Sequence, residues 1–175
     1  MNVNAPLVSS MAALNVNFDE ALSKTQNLCS EMKESAALCS RLVERLEFVK
    51  AELETRSSTA DEQVQLKKQL VDAIGLVVIF FNKYSELPPL QRVAASRVIR
   101  EEILVLHATI DKVFSLAGLN STPEMAAWRK QHQESDIDAQ CQQFESLLEE
   151  DQDAFSRDLS SSDVEEALME IKYFT

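Results

Sequence analysis

Small and apolar side chains recur in alternating steps of four and three from Phe18 to Leu53: Phe18, Leu22, Thr25, Cys29, Met32, Ala36, Cys39, Val43, Leu46, Lys50 and Leu53. Only Thr25 and Lys50 are polar, and Lys50 brings a long apolar stem. That period marks one stripe of an α-helix. Leu28, Leu38, Leu42 and Val49 widen it into a bundle-facing surface. No Gly or Pro falls between Pro6 and Gly75, so the pattern predicts a helix over about 18–56 with no residue that demands a break, although a bend near Glu34-Ser35 is open to it.

Three further helices follow from the same reasoning. Ser57-Ser58 marks a turn, and Thr59 with Glu62 reads as a capping box for a helix over about 59–87, as Asn17 with Glu20 does for the first. From Ala73 to Phe81 this second helix is apolar on every side, which predicts a central, buried position; the alternative is a surface that opens toward a partner or bilayer. Pro88 and Pro89 end it. The third, over about 90–117, carries Ile99, Ile103, Leu106, Ile110 and Val113, and Gly118 reads as its left-handed cap with Leu119 packing back. Thr122-Pro123 starts a fourth over about 123–158, with Thr as cap and Pro in the first turn. Its run from Arg129 to Asp136 is polar throughout before Ile137, Cys141, Phe144 and Leu148 restore a stripe.

The expectation is therefore an all-α, antiparallel four-helix bundle. Residues 1–17 read as an arm or short helix, 18–117 as the bundle core, 118–158 as an acidic, brace-like helix, and 159–175 as a linker with a short amphipathic helix. The two Gly and four Pro in 175 residues agree, because a sheet-rich fold of this size needs more turn residues.

Charge refines the picture. Residues 1–117 carry 13 Lys/Arg against 15 Asp/Glu, whereas residues 118–175 carry 4 against 14. An acidic tail on a nearly neutral front disfavours nucleic acid as a partner, since affinity there comes from basic groups displacing counterions. The tail reads as a solvated face or as a shield over a surface elsewhere. Cys29, Cys39 and Cys141 are odd in number and lack metal-ligand spacing, which reads as buried thiols in a reducing cytoplasm. Residues 1–17 lack the pattern of a secretory signal, and the longest apolar run is far short of a membrane span.

The sequence offers no catalytic, cofactor-binding or metal-ligating set. His107 and His132 stand on different helices with no motif around them; His107 reads as a satisfied bundle residue and His132 as a solvated one. There is no Gly-rich phosphate loop and no paired Glu-x-x-His for a diiron bundle. Basic pairs such as Arg41/Arg45 and Arg97/Arg100 are smaller than a phosphoinositide-binding cluster and read first as surface salt bridges.

The segment Cys29-Ser30-Glu31-Met32-Lys33, followed by Cys39-Ser40-Arg41-Leu42 and Arg45, resembles the N-terminal helical bundle of mixed lineage kinase domain-like pseudokinases, and is similar to helical adaptor domains of tyrosine-kinase-like kinases. Ala127-Trp128, the acidic stretch and Phe144 resemble the brace helix of that bundle. The resemblance implies a non-enzymatic bundle that oligomerises under the restraint of a brace, in some members binding anionic lipid and permeabilising membranes. It implies lipid or partner contacts at Lys33, Arg41 and Arg45, and brace contacts at Trp128 and Phe144. Ala36, Ala37 and Ser40 stand where the pseudokinase has basic residues. The resulting expectation is a cytoplasmic regulatory or self-association module without a cofactor, whose partner is a protein: another copy or a docking helix. A membrane-permeabilising effector recruited to a membrane surface is the alternative, and any kinase domain lies beyond Thr175.

Overall fold

The computed structural model describes residues 18–55, 60–119 and 122–150, and every element among them is helical. The elements are α1 (Phe18–Glu31), a 3₁₀ turn (Lys33–Ser35), α2 (Ala36–Thr55), α3 (Ala60–Ser85), α4 (Pro89–Ala94), α5 (Ser96–Leu116), α6 (Pro123–Gln131), a π turn (His132–Asp136) and α7 (Ile137–Glu150). The expectations for residues 1–17, for the capping residues Asn17 and Thr59, and for 151–175 lie outside the described residues.

The helix expected over 18–56 is instead a hairpin. Met32 leaves helical geometry (φ −89°, ψ 55°), and the chain reverses through a 3₁₀ turn in which Met32 N–H bonds Cys29 O and Ser35 N–H bonds Met32 O, both at 3.0 Å. Lys50 of α2 then meets Asp19 of α1 at 2.5 Å, and Gln26 meets Glu47, so α1 and α2 run antiparallel. The repeat survives the reversal because each half still buries its own stripe: Leu22, Thr25, Cys29 and Met32 on one arm, Cys39, Val43, Leu46 and Leu53 on the other.

The partner that fixes this turn comes from far along the chain. Arg92 on α4 donates from Nη2 to Glu31 O (3.0 Å), and from Nη1 to Leu87 O (2.9 Å) and Ser85 O (3.3 Å). Its Nε lies 2.8 Å from Glu34 Oε1, with both side chains buried. One guanidinium thus serves the carbonyl ends of both α1 and α3, where free C=O groups and the negative end of the helix dipole favour a cation. Burial raises the Glu34 pKa, a change that Arg92 opposes.

The third expected helix divides as well. Pro88 and Pro89 open the short α4, and Ala95 (φ −86°, ψ 5°) separates it from α5. At the other end, the Gly118 cap forms as expected with φ +68°. Leu119 N–H reaches back to Phe114 O (2.9 Å) and Gly118 N–H to Ser115 O (3.1 Å), the paired bonds of a Schellman ending, with Leu119 buried. Thr122 precedes Pro123 as expected but does not cap α6 with its side chain; its hydroxyl donates to Leu119 O at 2.8 Å.

The core lies between α1, α2, α3 and α5, with Leu38, Leu42, Leu46, Ile74, Phe81 and Ile110 essentially inaccessible. Phe48 of α2 stacks on Phe114 of α5, with centroids 5.7 Å apart. The α3 segment Ala73–Phe81 sits in the middle of this core, with Leu76 and Ile79 half-buried. No described helix is long and apolar enough to cross a membrane. Leu46→Ala should cost about 2–5 kcal/mol in urea melts, the range for truncating a buried Leu; a loss below about 0.5 kcal/mol is the result that contradicts this packing.

Candidate functional site

The segment from α6 through α7 lies as a strap along the seam between α2 and α5. Its register is read from four contacts. Trp128 stacks on His107 of α5, with centroids 4.0 Å apart and planes 13° from parallel. Arg129 Nη2 reaches Asp111 Oδ2 at 3.2 Å. Asp136 receives two bonds from Arg41 of α2, at 3.1 and 3.2 Å. Gln140 accepts from Arg100 of α5 (3.0 Å) and donates to Ser35 in the hairpin turn (2.9 Å). As the strap advances from 128 to 140, its partners retreat along both helices, so it runs antiparallel to them.

Arg45 is the centre of the cluster. Its guanidinium is buried, only 4% exposed, and donates to His107 Nδ1 (2.9 Å), His107 O (3.3 Å) and Asp111 Oδ1 (2.5 Å). It lies under the Trp128 ring at 4.4 Å and over the Phe114 ring at 4.9 Å, a cation held between two aromatic faces. Because arginine only donates, His107 Nδ1 is the acceptor, and the imidazole proton sits on Nε2. Burial lowers the Arg45 pKa and the Asp111 carboxylate raises it again, while the Arg41 pKa is raised, chiefly by its bond to Asp136.

The π turn explains why His132 is not solvated as expected. The widened turn carries His132 and Asp136, both buried, on the inward side of a run that is polar throughout its sequence. His132 stands edge-on to both His107 (5.8 Å) and Trp128 (6.1 Å). Burial together with the Arg45 charge drives the His107 pKa down to about 2. The His132 pKa is lowered too, first by burial, with Asp136 partly opposing. Three nitrogens of this cluster, His107 Nε2, Trp128 Nε1 and His132 Nδ1, are buried without a hydrogen-bond partner among the described residues.

Of the residues singled out in the sequence, Trp128 and Phe144 are buried in the strap, Phe144 on α7. Arg41 and Arg45 both face it, Arg41 also pairing with Glu44 at 2.6 Å. Lys33 stands apart, exposed on the hairpin turn beside a groove of about 600 Å³ that Cys29, Ser30 and Gln143 also line. Cys29 and Cys39 are buried free thiols with raised pKa values, first through burial, and Cys141 is half-buried. His107, His132, Asp111 and Asp136 carry the site without a sequence motif; the four-residue spacings of His107/Asp111 and His132/Asp136, which put each pair on one helical face, were the available signal. No group of three or more His, Cys, Asp or Glu among the described residues is placed to hold a metal ion. Comparisons with family models, curated proteins and solved structures find no match to this chain.

Proposed function

We propose that this chain is a non-enzymatic regulatory and self-association module in which the strap of residues 123–150 gates the seam between α2 and α5. The observation that carries the reading is the composition of the strap's contact. Among the side chains described, its apolar anchors are Trp128, Phe144 and the half-buried Ile137. The rest is two ion pairs, Arg41–Asp136 and Arg129–Asp111, further side-chain hydrogen bonds and three buried nitrogens without partners. Each such nitrogen costs about 1–3 kcal/mol that water recovers on opening. Elements held this way sit at the low end of the local stability range. The resemblance to braced kinase-associated bundles supports the same reading, with a protein as partner.

One observation favours the membrane-active alternative. Lifting the strap uncovers Arg41, Arg45 and Arg100 on neighbouring helices, together with the removal of Asp136. Three arginines fall short of a dedicated phosphoinositide cluster, so protein association is preferred.

Hydrogen exchange on the intact protein tests the gate. Amides of 123–150 should exchange at least ~10-fold faster than those of α2, α3 and α5, and Trp128→Ala should speed only the strap while increasing self-association in light scattering. Uniform protection, or cooperative loss of the whole fold in Trp128→Ala, contradicts the proposal. Binding of the variant to anionic vesicles without self-association transfers support to the membrane reading.

A further inference from the structure

Helix α5 has three faces. Ile99, Ile103, Ile110 and Val113 enter the core, and Arg100, His107 and Asp111 meet the strap or the residues beneath it. The third face points outward and is half apolar. Val98 is 51% exposed, Val105 66% and Leu116 57%, on a helix whose surface would ordinarily be charged. With Glu102, Thr109 and Lys112 they fall at 98, 102, 105, 109, 112 and 116, alternating steps of four and three that draw one straight seam. Across the described residues nothing covers Val98, Val105 or Leu116.

We infer that this seam is the docking surface for a second copy of the same chain, with the two α5 helices antiparallel about a two-fold axis near position 107. A two-fold contact pairs position i with j and j with i. Here the pairing sets Val98 against Leu116, Val105 against Thr109 and Lys112 against Glu102, each twice. Every layer is complementary. Thr109 donates its hydroxyl to its own helix at Val105 O (3.1 Å), which satisfies the polar atom before an apolar partner arrives. Glu102 takes Lys83 Nζ (2.6 Å) and Tyr84 Oη (2.7 Å), both on Oε1. Its Oε2 has no partner among the described residues, and exposed Lys112 forms no ion pair with them.

Charge selects both the orientation and the occupant. A parallel pair places Glu102 on Glu102 and Lys112 on Lys112, two repulsive layers, whereas the antiparallel pair places opposite charges in both. The seam lies away from the strap contacts, so docking does not require strap release. The inference goes beyond the proposed function: this contact is independent of the strap and is separate from any association through the α2/α5 seam that the strap covers. A single helix pair about 31 Å long is a smaller contact than a standard stable interface, which makes the dimer a weak, concentration-dependent one.

Sedimentation velocity on the intact chain, from low micromolar to near millimolar, tests it. The native chain should show a monomer–dimer equilibrium. Val105→Glu, at the seam centre, and Lys112→Glu should each weaken it at least ~10-fold with unchanged circular dichroism. Glu102→Lys should do the same alone, yet an equimolar mixture with Lys112→Glu should dimerise to within about 3-fold of the native chain, because both charge layers are then restored in the heterodimer. If Glu102→Lys fails to fold, Val105→Glu and Lys112→Glu still decide. A native chain that stays monomeric throughout overturns the inference and leaves the strap proposal to its own exchange test. A native dimer indifferent to both Val105→Glu and Lys112→Glu also overturns it, while leaving self-association standing through another face.

Discussion

Arg92→Ala should cost about 3–5 kcal/mol, the range for removing one member of a buried ion pair. Two losses combine in it. Glu34, 1% exposed, is left as a buried carboxylate without its cation. The carbonyls of Glu31, Ser85 and Leu87 lose their shared donor at the ends of α1 and α3. Urea melts measure the total, and Glu34→Gln separates the parts. In the Glu34→Gln background Arg92→Ala should cost markedly less, since no charge is stranded, and the difference is the coupling between the two side chains. Equal costs in both backgrounds would show that the carbonyl contacts alone make Arg92 important.

That residue also shows where sequence reasoning stops. The α-helical class, the buried middle of α3, the start at Pro123 and the Gly118 ending were all legible, because each depends on a local rule: a period, a proline, or a residue that adopts positive φ without strain. A bend near Glu34-Ser35 was open to the sequence, but the full reversal from Met32 was not legible. A heptad stripe continues through a reversal if the turn has the right length, and this turn contains neither Gly nor Pro. What holds it is a buried Glu34–Arg92 pair spanning 58 positions, and no local pattern announces such a partner. In the strap, Trp128 and Phe144 stood out in the sequence and are buried in the structure, whereas its middle was opaque. There a polar run looks solvated until a π turn rotates His132 and Asp136 inward onto groups from two other helices. Arg41 and Arg45 were singled out as cations, but their carboxylate and imidazole partners became visible only with the tertiary structure.

Acidification should weaken the strap before it weakens the bundle, and His107 should dominate the effect. Its folded pKa of about 2 lies far below its ordinary value of 6.5. A depressed folded pKa gives stability that is complete above about pH 6.5 and lost as pH falls from there toward 2, because the opened chain takes up the proton that the closed one refuses. The slope is about 1.4 kcal/mol per pH unit, or about 3 kcal/mol by pH 4.5 from His107 alone. His132, lowered in the same direction, adds to it. Glu34 acts with the opposite sign: its raised pKa gives stability that is present at low pH and lost as pH rises through the folded value, so it partly offsets the histidines in acid. The comparison that isolates the imidazole is the native chain against His107→Gln, which removes the titrating group and retains an acceptor for Arg45. Between pH 6.5 and 4.5 the variant should show a slope shallower by about one proton, even though losing the Trp128 stack lowers its stability at every pH. Hydrogen exchange across the same range should show amides of 123–150 losing protection first in the native chain, because opening the strap alone uncovers both rings. An unchanged slope in His107→Gln would mean that His107 already takes up its proton in the closed protein, and that the stacked, arginine-paired ring is not the acid-sensitive part of this fold.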